Sequence, residues 1–271
     1  MKEERLNRKL IINTLVRSLK PLDYIYAFWE GGAVAFDRVD EWSDIDLYLV
    51  VDDEKVGEAF LDVEKALESL SPIKQKYEVK QTVWLEVAQA FYKMKSASDF
   101  LLIDLAVLKM SRPEKFLEPE IHGKVKFYFN KSDKITVSQT DANVLAQKLR
   151  GRLKQLKAKF EIFNIFVQKE ILRGNDLTAL DLYHKLTLAS LVEALRIKYH
   201  PAHYEFKLQY VHYELPAEII EKLKNLYFVQ NLTDLQEKYN AATKWFIEIE
   251  SLLKEQTTEE TNRETGFSQL R

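Results

Sequence analysis

The sequence predicts an α+β chain in which an N-terminal half mixing strands with helices is followed by a C-terminal helical bundle. Two short β-rich runs, residues 24–29 and 46–51, flank a glycine pair, and residues 77–129 again favour strands. Past about residue 140 the pattern changes period: Leu149, Leu153, Leu156, Phe160 and Phe163 advance in steps of three and four, the stripe of a helix with one buried face.

The elements follow in order. Leu6, Leu10, Asn13 and Val16 recur at about one turn, so residues 4–19 read as a helix that Pro21 ends. The run 24–29 is a strand broken by Gly31-Gly32, and 46–51 is a second strand. Phe60, Val63, Leu67 and Leu70 place a helix at 54–70, with Pro72 just beyond it. Further strands are expected at 80–87, 91–94, 100–108 and 124–129. In the second half, Gly174-Asn175-Asp176 supplies a C-cap followed by an N-cap. A long helix then runs over 177–199 to the stop at Pro201, Pro216 opens another, and 232–253 makes the last. The expected division is a first domain over 1–135, a helical domain over 136–255 and a flexible polar tail over 256–271.

Composition narrows the class. The chain has 271 residues, is 46% hydrophobic and 30% charged, and carries a net charge of -2, the profile of a soluble globular protein with a sizeable core. The near-neutral balance disfavours a nucleic-acid partner. Absence of cysteine excludes disulfides, thiolate metal sites and a thiol nucleophile, and is consistent with a cytoplasmic location. The N-terminus has no signal-peptide apolar core, and no apolar run approaches the roughly 18 residues of a membrane span.

Chemistry concentrates after the first strand. Asp44 and Asp46, in Ser43-Asp44-Ile45-Asp46-Leu47, stand two apart at the start of a strand, so both carboxylates share one face while Ile45 and Leu47 turn to the core. Two such carboxylates and a triphosphate satisfy a hard cation such as Mg²⁺. Asp104 sits in the otherwise apolar run 100–108, and a carboxylate there needs a metal, a cation or a proton as partner. If its strand neighbours that of Asp46, it completes a triad as metal ligand or general base. Gly31-Gly32, in a chain with only seven glycines, is expected to let the backbone approach a ligand and cradle phosphate oxygens.

This combination of strand, Gly-Gly, spacer, Asp-x-Asp and a later strand acid resembles the nucleotidyltransferase superfamily typified by DNA polymerase β, and its aminoglycoside and lincosamide branch in particular. The motif covers residues 31–104, and the helical half resembles that branch in layout. The resemblance implies a mixed-sheet catalytic domain, Asp44, Asp46 and Asp104 around Mg²⁺, and Gly31, Gly32, Ser43 and Arg38 at the nucleotide. It implies transfer of a nucleoside monophosphate, AMP from ATP in the first instance or another nucleotide, to a hydroxyl of a small, antibiotic-like acceptor held between the domains, with release of pyrophosphate. The chain departs from the family pattern at Ala33, where Ser is common, and at Phe36-Asp37, where an Arg-Gly pair is common; Arg38 is the nearby substitute cation. The alternative is a non-catalytic nucleotide binder or antitoxin-type partner. The sequence leaves the oligomeric state open.

Other signals carry less. Lys148, Arg150, Arg152, Lys154, Lys157 and Lys159 flank the apolar stripe and read as a solvated face, with Arg152 and Lys159 as candidates for reaching a triphosphate. His200 and His203 are weak metal candidates, and Arg196 with His203 fits an Arg-x₆-His ribonuclease spacing only by chance, because Pro201 interrupts the helix that would carry both.

Overall fold

The computed structural model describes residues 6–79, 87–131 and 135–268, with side chains described up to residue 255. It divides into two compact units, Met1–Thr140 and Asp141–Arg271.

The first unit is a six-stranded mixed sheet with helices on one face. Its elements are α1 (Arg8–Leu19), β1 (Ile25–Glu30), the single turn α2 (Gly32–Ala35), β2 (Ile45–Val51), α3 (Val56–Glu68), β3 (Ile73–Glu78), β4 (Val87–Met94), β5 (Ile103–Lys109), the single turn α4 (Pro119–His122) and β6 (Lys126–Asn130). The strands lie in the order β3-β4-β5-β2-β1-β6. The central pair β2 and β5 is parallel and all other neighbours are antiparallel. A parallel pair needs a long crossover, here α3 together with the β3–β4 hairpin.

The sheet buries both faces unequally. Ile45, Leu47 and Leu49 of β2 and Ile103, Leu105 and Val107 of β5 pack beneath α1 and α3 with Ile11, Leu15, Phe60 and Val63. The alternate residues Val50 and Leu108 join Ala27, Trp29, Leu117 and Ile135 in a smaller cluster on the other face. The period-two alternation of β2 therefore decides where its carboxylates go: Asp46 is on the thinly covered face because Ile45 and Leu47 are on the thick one.

Sequence-predicted elements are recovered with shifted ends. The helix expected at 4–19 spans Arg8–Leu19, started by Asn7, whose side chain accepts from the Leu10 N–H at 3.0 Å. The strand expected at 100–108 begins three residues later, and the run 91–94 is the end of a longer β4. The strand expected at 80–87 falls, but for Val87, outside the described residues. The edge strand β3 was missed. Its sequence, Ile-Lys-Gln-Lys-Tyr-Glu, is exposed along nearly its whole length and shows no apolar alternation, and its lysines discourage pairing with another chain.

The second unit is all helix: α5 (Ala142–Phe163), α6 (Ile165–Arg173), α7 (Asp176–Leu182), a π-helical turn (Tyr183–Leu188), α8 (Ala189–Tyr199), α9 (Val211–Glu214), α10 (Ala217–Tyr227) and α11 (Leu232–Ser268). Asp141 caps α5, accepting from the N–H groups of Asn143 and Val144. The break after α5 was not foreseen. It falls at buried Asn164, which donates to the Tyr239 hydroxyl at 3.2 Å and to Thr243 Oγ1 at 3.1 Å while accepting from the Thr187 hydroxyl. The expected C-cap at Gly174 is present in the left-handed conformation, φ 74°. The helix expected at 177–199 is continuous through the π turn, and α11 continues past the end expected at 253. Phe160 stacks on Phe246 with centroids 3.9 Å apart at the centre of the bundle.

A buried ion pair fastens the loop after α8. Arg196, wholly buried, donates to Glu214 Oε2 at 2.8 Å, to the Lys207 carbonyl at 2.6 Å and to the Gln209 carbonyl. The loop it ties has left-handed Lys207 and Tyr210, at φ 52° and 63°. Glu214→Gln leaves the guanidinium without its counter-charge in the interior and is expected to destabilise the bundle by about 3–5 kcal/mol, measured by urea denaturation.

Candidate active site

The three acids predicted from sequence converge because β2 and β5 are parallel neighbours. Their register sets Ile45 beside Ile103 and Asp46 directly beside Asp104, so these two carboxylates leave the same face from adjacent strands. Neighbouring strands lie about 4.8 Å apart, within reach of one cation. Asp44 stands just before β2, two residues from Asp46, and is exposed where Asp46 and Asp104 are half-buried.

Electrostatics mark the cluster as one that wants a cation. Burial pushes the Asp46 carboxyl up to about 6 from its ordinary 3.8, with Asp104 and then Asp44 adding repulsion. Burial also raises Asp104, which is eased by Gln89 and pushed further by Asp44, and partial loss of solvent raises Asp44 against the opposing pull of Arg8. Gln89, on β4, donates its amide to both oxygens of Asp104, at 2.7 and 3.0 Å. Sequence reading missed Gln89. A polar residue inside the mostly apolar run Val87–Met94 was the available signal, but its partner is apparent only once β4 is set against β5.

The glycine pair is fitted to these acids. Gly32 has φ 55°, and a Cβ there would stand 1.8 Å from Asp46 Oδ2 and 2.5 Å from its Cγ. The turn thus lies in contact with the carboxylate, and only glycine permits it. Gly31 donates its N–H to the Asp46 carbonyl at 3.0 Å, so that donor serves the strand pairing and not a phosphate. Beneath Gly31 lies Tyr48, whose ring stacks on Trp29 at 5.3 Å and 6°.

Two further predicted residues have local partners. The Ser43 hydroxyl donates to Asp40 Oδ1 at 2.7 Å and accepts from the Asp40 N–H at 2.9 Å, closing the turn that presents Asp44. Arg38 lies over the Phe36 ring at 5.1 Å, after Asp37 at φ 54°. Arg8 was not anticipated at all: it reaches from α1 to the carbonyls of Ser43 and Asp44 and to buried Glu30.

In the helical unit, Arg152 pairs with Glu193 and Lys157 with Glu250. His200, His203 and Glu214 offer ligand atoms within 4.8 Å of one another. Two observations speak against a metal there. The imidazole rings stack face to face, 4.1 Å apart and 14° from parallel, so their in-plane lone pairs do not converge, and Glu214 already neutralises Arg196. Burial of Arg196 within that pair likewise removes the ribonuclease spacing from consideration.

The sequence matches no protein-family model and no curated protein sequence. Solved structures similar to it include the aminoglycoside 6-adenyltransferase of Bacillus subtilis, at 12% identity over 90% of this chain and 88% of that one, TM-score 0.33. A second is the STING-associated CdnE c-di-GMP synthase of Capnocytophaga granulosa, at 13% identity over 92% and 80%, TM-score 0.30. A third is a protein from H. pylori described as a nucleotidyltransferase, at 13% identity over 94% and 98%, TM-score 0.28. No helix among the described residues is long and apolar enough to cross a membrane.

Proposed function

We propose that the chain is an Mg²⁺-dependent nucleotidyltransferase that moves a nucleoside monophosphate, AMP from ATP in the first instance, to a hydroxyl of a small molecule. The observation that carries this reading is the side-by-side placement of Asp46 and Asp104 on parallel strands, with Asp44 at the mouth and a glycine turn against Asp46.

The donor set fits the ion. Three carboxylates are hard oxygen ligands, and the burial and mutual repulsion that raise the Asp46 carboxyl are what a divalent cation relieves. Asp44, Asp46 and Asp104 would hold it, and bound Mg²⁺ supplies charge neutralisation at the phosphates of the nucleotide. The protein's own part is positioning. Gln89 fixes the orientation of the Asp104 carboxylate, the Asp40–Ser43 turn presents Asp44, and Gly32, lacking a Cβ, makes room for the Asp46 carboxylate packed against it. Arg38 is assigned to the triphosphate as the cation in place of the missing Arg-Gly pair. The acceptor is proposed to be a small hydroxyl-bearing molecule of the aminoglycoside-like or another antibiotic-like kind.

Calorimetric titration of ATP with and without Mg²⁺ tests the reading. Wild type is expected to bind only with the metal, and Asp44→Asn, which keeps the shape but removes a charge, to lose at least about tenfold in metal-dependent affinity. Pyrophosphate release on adding acceptors then identifies the hydroxyl. Equal binding by wild type and Asp44→Asn would overturn the metal assignment.

A further inference from the structure

We infer that Arg8 is a positioning residue for the metal site, holding Asp44 in place by its backbone. The inference rests on the proposed metal-dependent activity and adds to it a residue outside the acidic motif.

Asp44 is exposed and lies at the end of a loop, the weakest place to hold a ligand. Three features counter this weakness. The Asp40–Ser43 turn stiffens the loop internally, and the Ile45 N–H donates to the Leu102 carbonyl at 2.9 Å. The third is Arg8, whose Nη2 donates to two successive carbonyls, those of Ser43 at 2.9 Å and of Asp44, and so fixes the peptide planes on either side of the Asp44 Cα. Two bonded carbonyls around one Cα define the direction of its side chain.

Arg8 is itself anchored. Its Nη1 meets Glu30, which is 1% exposed, and the second oxygen of Glu30 accepts from the Tyr128 hydroxyl. Glu30 is the last residue of β1 and precedes Gly31-Gly32. One guanidinium therefore couples the end of β1, from which the glycine turn departs, to the start of β2, from which the acids depart. The planar fork is needed because it serves a carboxylate and two carbonyls at once; a lysine ammonium keeps the charge but not the geometry. Arg8 and Glu30 also line a cavity of about 610 Å³ together with Lys9, Asn13, Asp37 and Lys126.

Two variants separate positioning from folding. Arg8→Lys retains the counter-charge for Glu30, and the double variant Arg8→Gln/Glu30→Gln removes both charges so that none is left buried. The Mg²⁺ concentration that half-saturates ATP binding, measured by calorimetry in the full chain, is expected to rise about 10- to 100-fold in both. Saturating Mg²⁺ should restore nucleotide affinity, and hydrogen exchange over residues 39–46 should quicken. A merely structural role would lower the unfolding midpoint without moving the Mg²⁺ requirement. Wild-type Mg²⁺ dependence in both variants would overturn the role of Arg8 alone, whereas a wild type that binds no nucleotide with metal would overturn the site reading and this inference together.

Discussion

Asp46→Asn is expected to make the metal-free protein more stable near neutral pH while lowering turnover about 10³-fold or more, since a metal clamp contributes several kcal/mol at the transition state. The two effects share one cause. In the folded chain burial, then Asp104 and Asp44, push the Asp46 carboxyl up to about 6 from 3.8. The fold therefore holds the proton more tightly than the unfolded chain does. Stability from this group is fully present below about pH 4 and is lost as pH rises through about 6. The gap between 3.8 and about 6 corresponds to on the order of 3 kcal/mol.

Asparagine is close to isosteric and never ionises. Its advantage over wild type should accordingly be near zero at pH 4, grow through pH 5 and 6, and level off at or below on the order of 3 kcal/mol above pH 7. Adding Mg²⁺ should reverse the order, because the ion relieves the repulsion in wild type and has lost a ligand in the variant. Metal affinity of wild type should fall by about tenfold per pH unit below 6, as one proton competes for Asp46. Urea denaturation from pH 4 to 8, with and without Mg²⁺, reads all of this. An Asp46→Asn chain less stable than wild type at pH 8 without metal would show that the cluster is not under electrostatic strain.

The legibility of this site in the sequence was uneven for physical reasons. Asp44, Asp46 and the glycine pair are local: a two-residue period fixes which face Asp46 takes, and Ile45 and Leu47 settle the direction. Asp104 was legible as an anomaly, a charge in an apolar run, but its neighbour depended on β5 pairing with β2 rather than with an edge. Gln89 and Arg8 were not legible because their value lies in contacts across 15 and 35 residues of chain, and neither residue type is unusual where it stands. The edge strand β3 failed for the opposite reason: solvent on nearly every side chain erases the alternation from which strands are read. In the helical half the stripe and caps marked α5 and the end of α6, whereas the interruption at Asn164 required knowledge of Tyr239, Thr243 and Thr187 around it.

Gly32→Ala is expected to damage the site more than any other single methyl group could, and its neighbour Gly31 supplies the control. At Gly32 two costs combine. The backbone is left-handed at φ 55°, which for alanine costs about 1–2 kcal/mol. The new Cβ would also stand 1.8 Å from Asp46 Oδ2 and 3.0 Å from Asp46 Cβ, so rotating the carboxylate away relieves only part of the clash. Either the turn or Asp46 must move, and each displaces a proposed ligand from the metal. Gly31, in contrast, has φ -108°, outside the left-handed region, and its added Cβ would meet only the edge of the Tyr48 ring at 2.9 Å. Gly31→Ala should therefore cost less in stability and leave more of the metal-dependent nucleotide binding. A double-mutant cycle isolates the contact. Asp46→Ala removes the Oδ2 and Cγ atoms that the Gly32 methyl would strike and leaves only the Cβ contact at 3.0 Å, so the stability cost of Gly32→Ala should shrink in that background toward the roughly 1–2 kcal/mol of the backbone. An unchanged cost in the Asp46→Ala background would mean that glycine is required there by the turn and not by the carboxylate it touches.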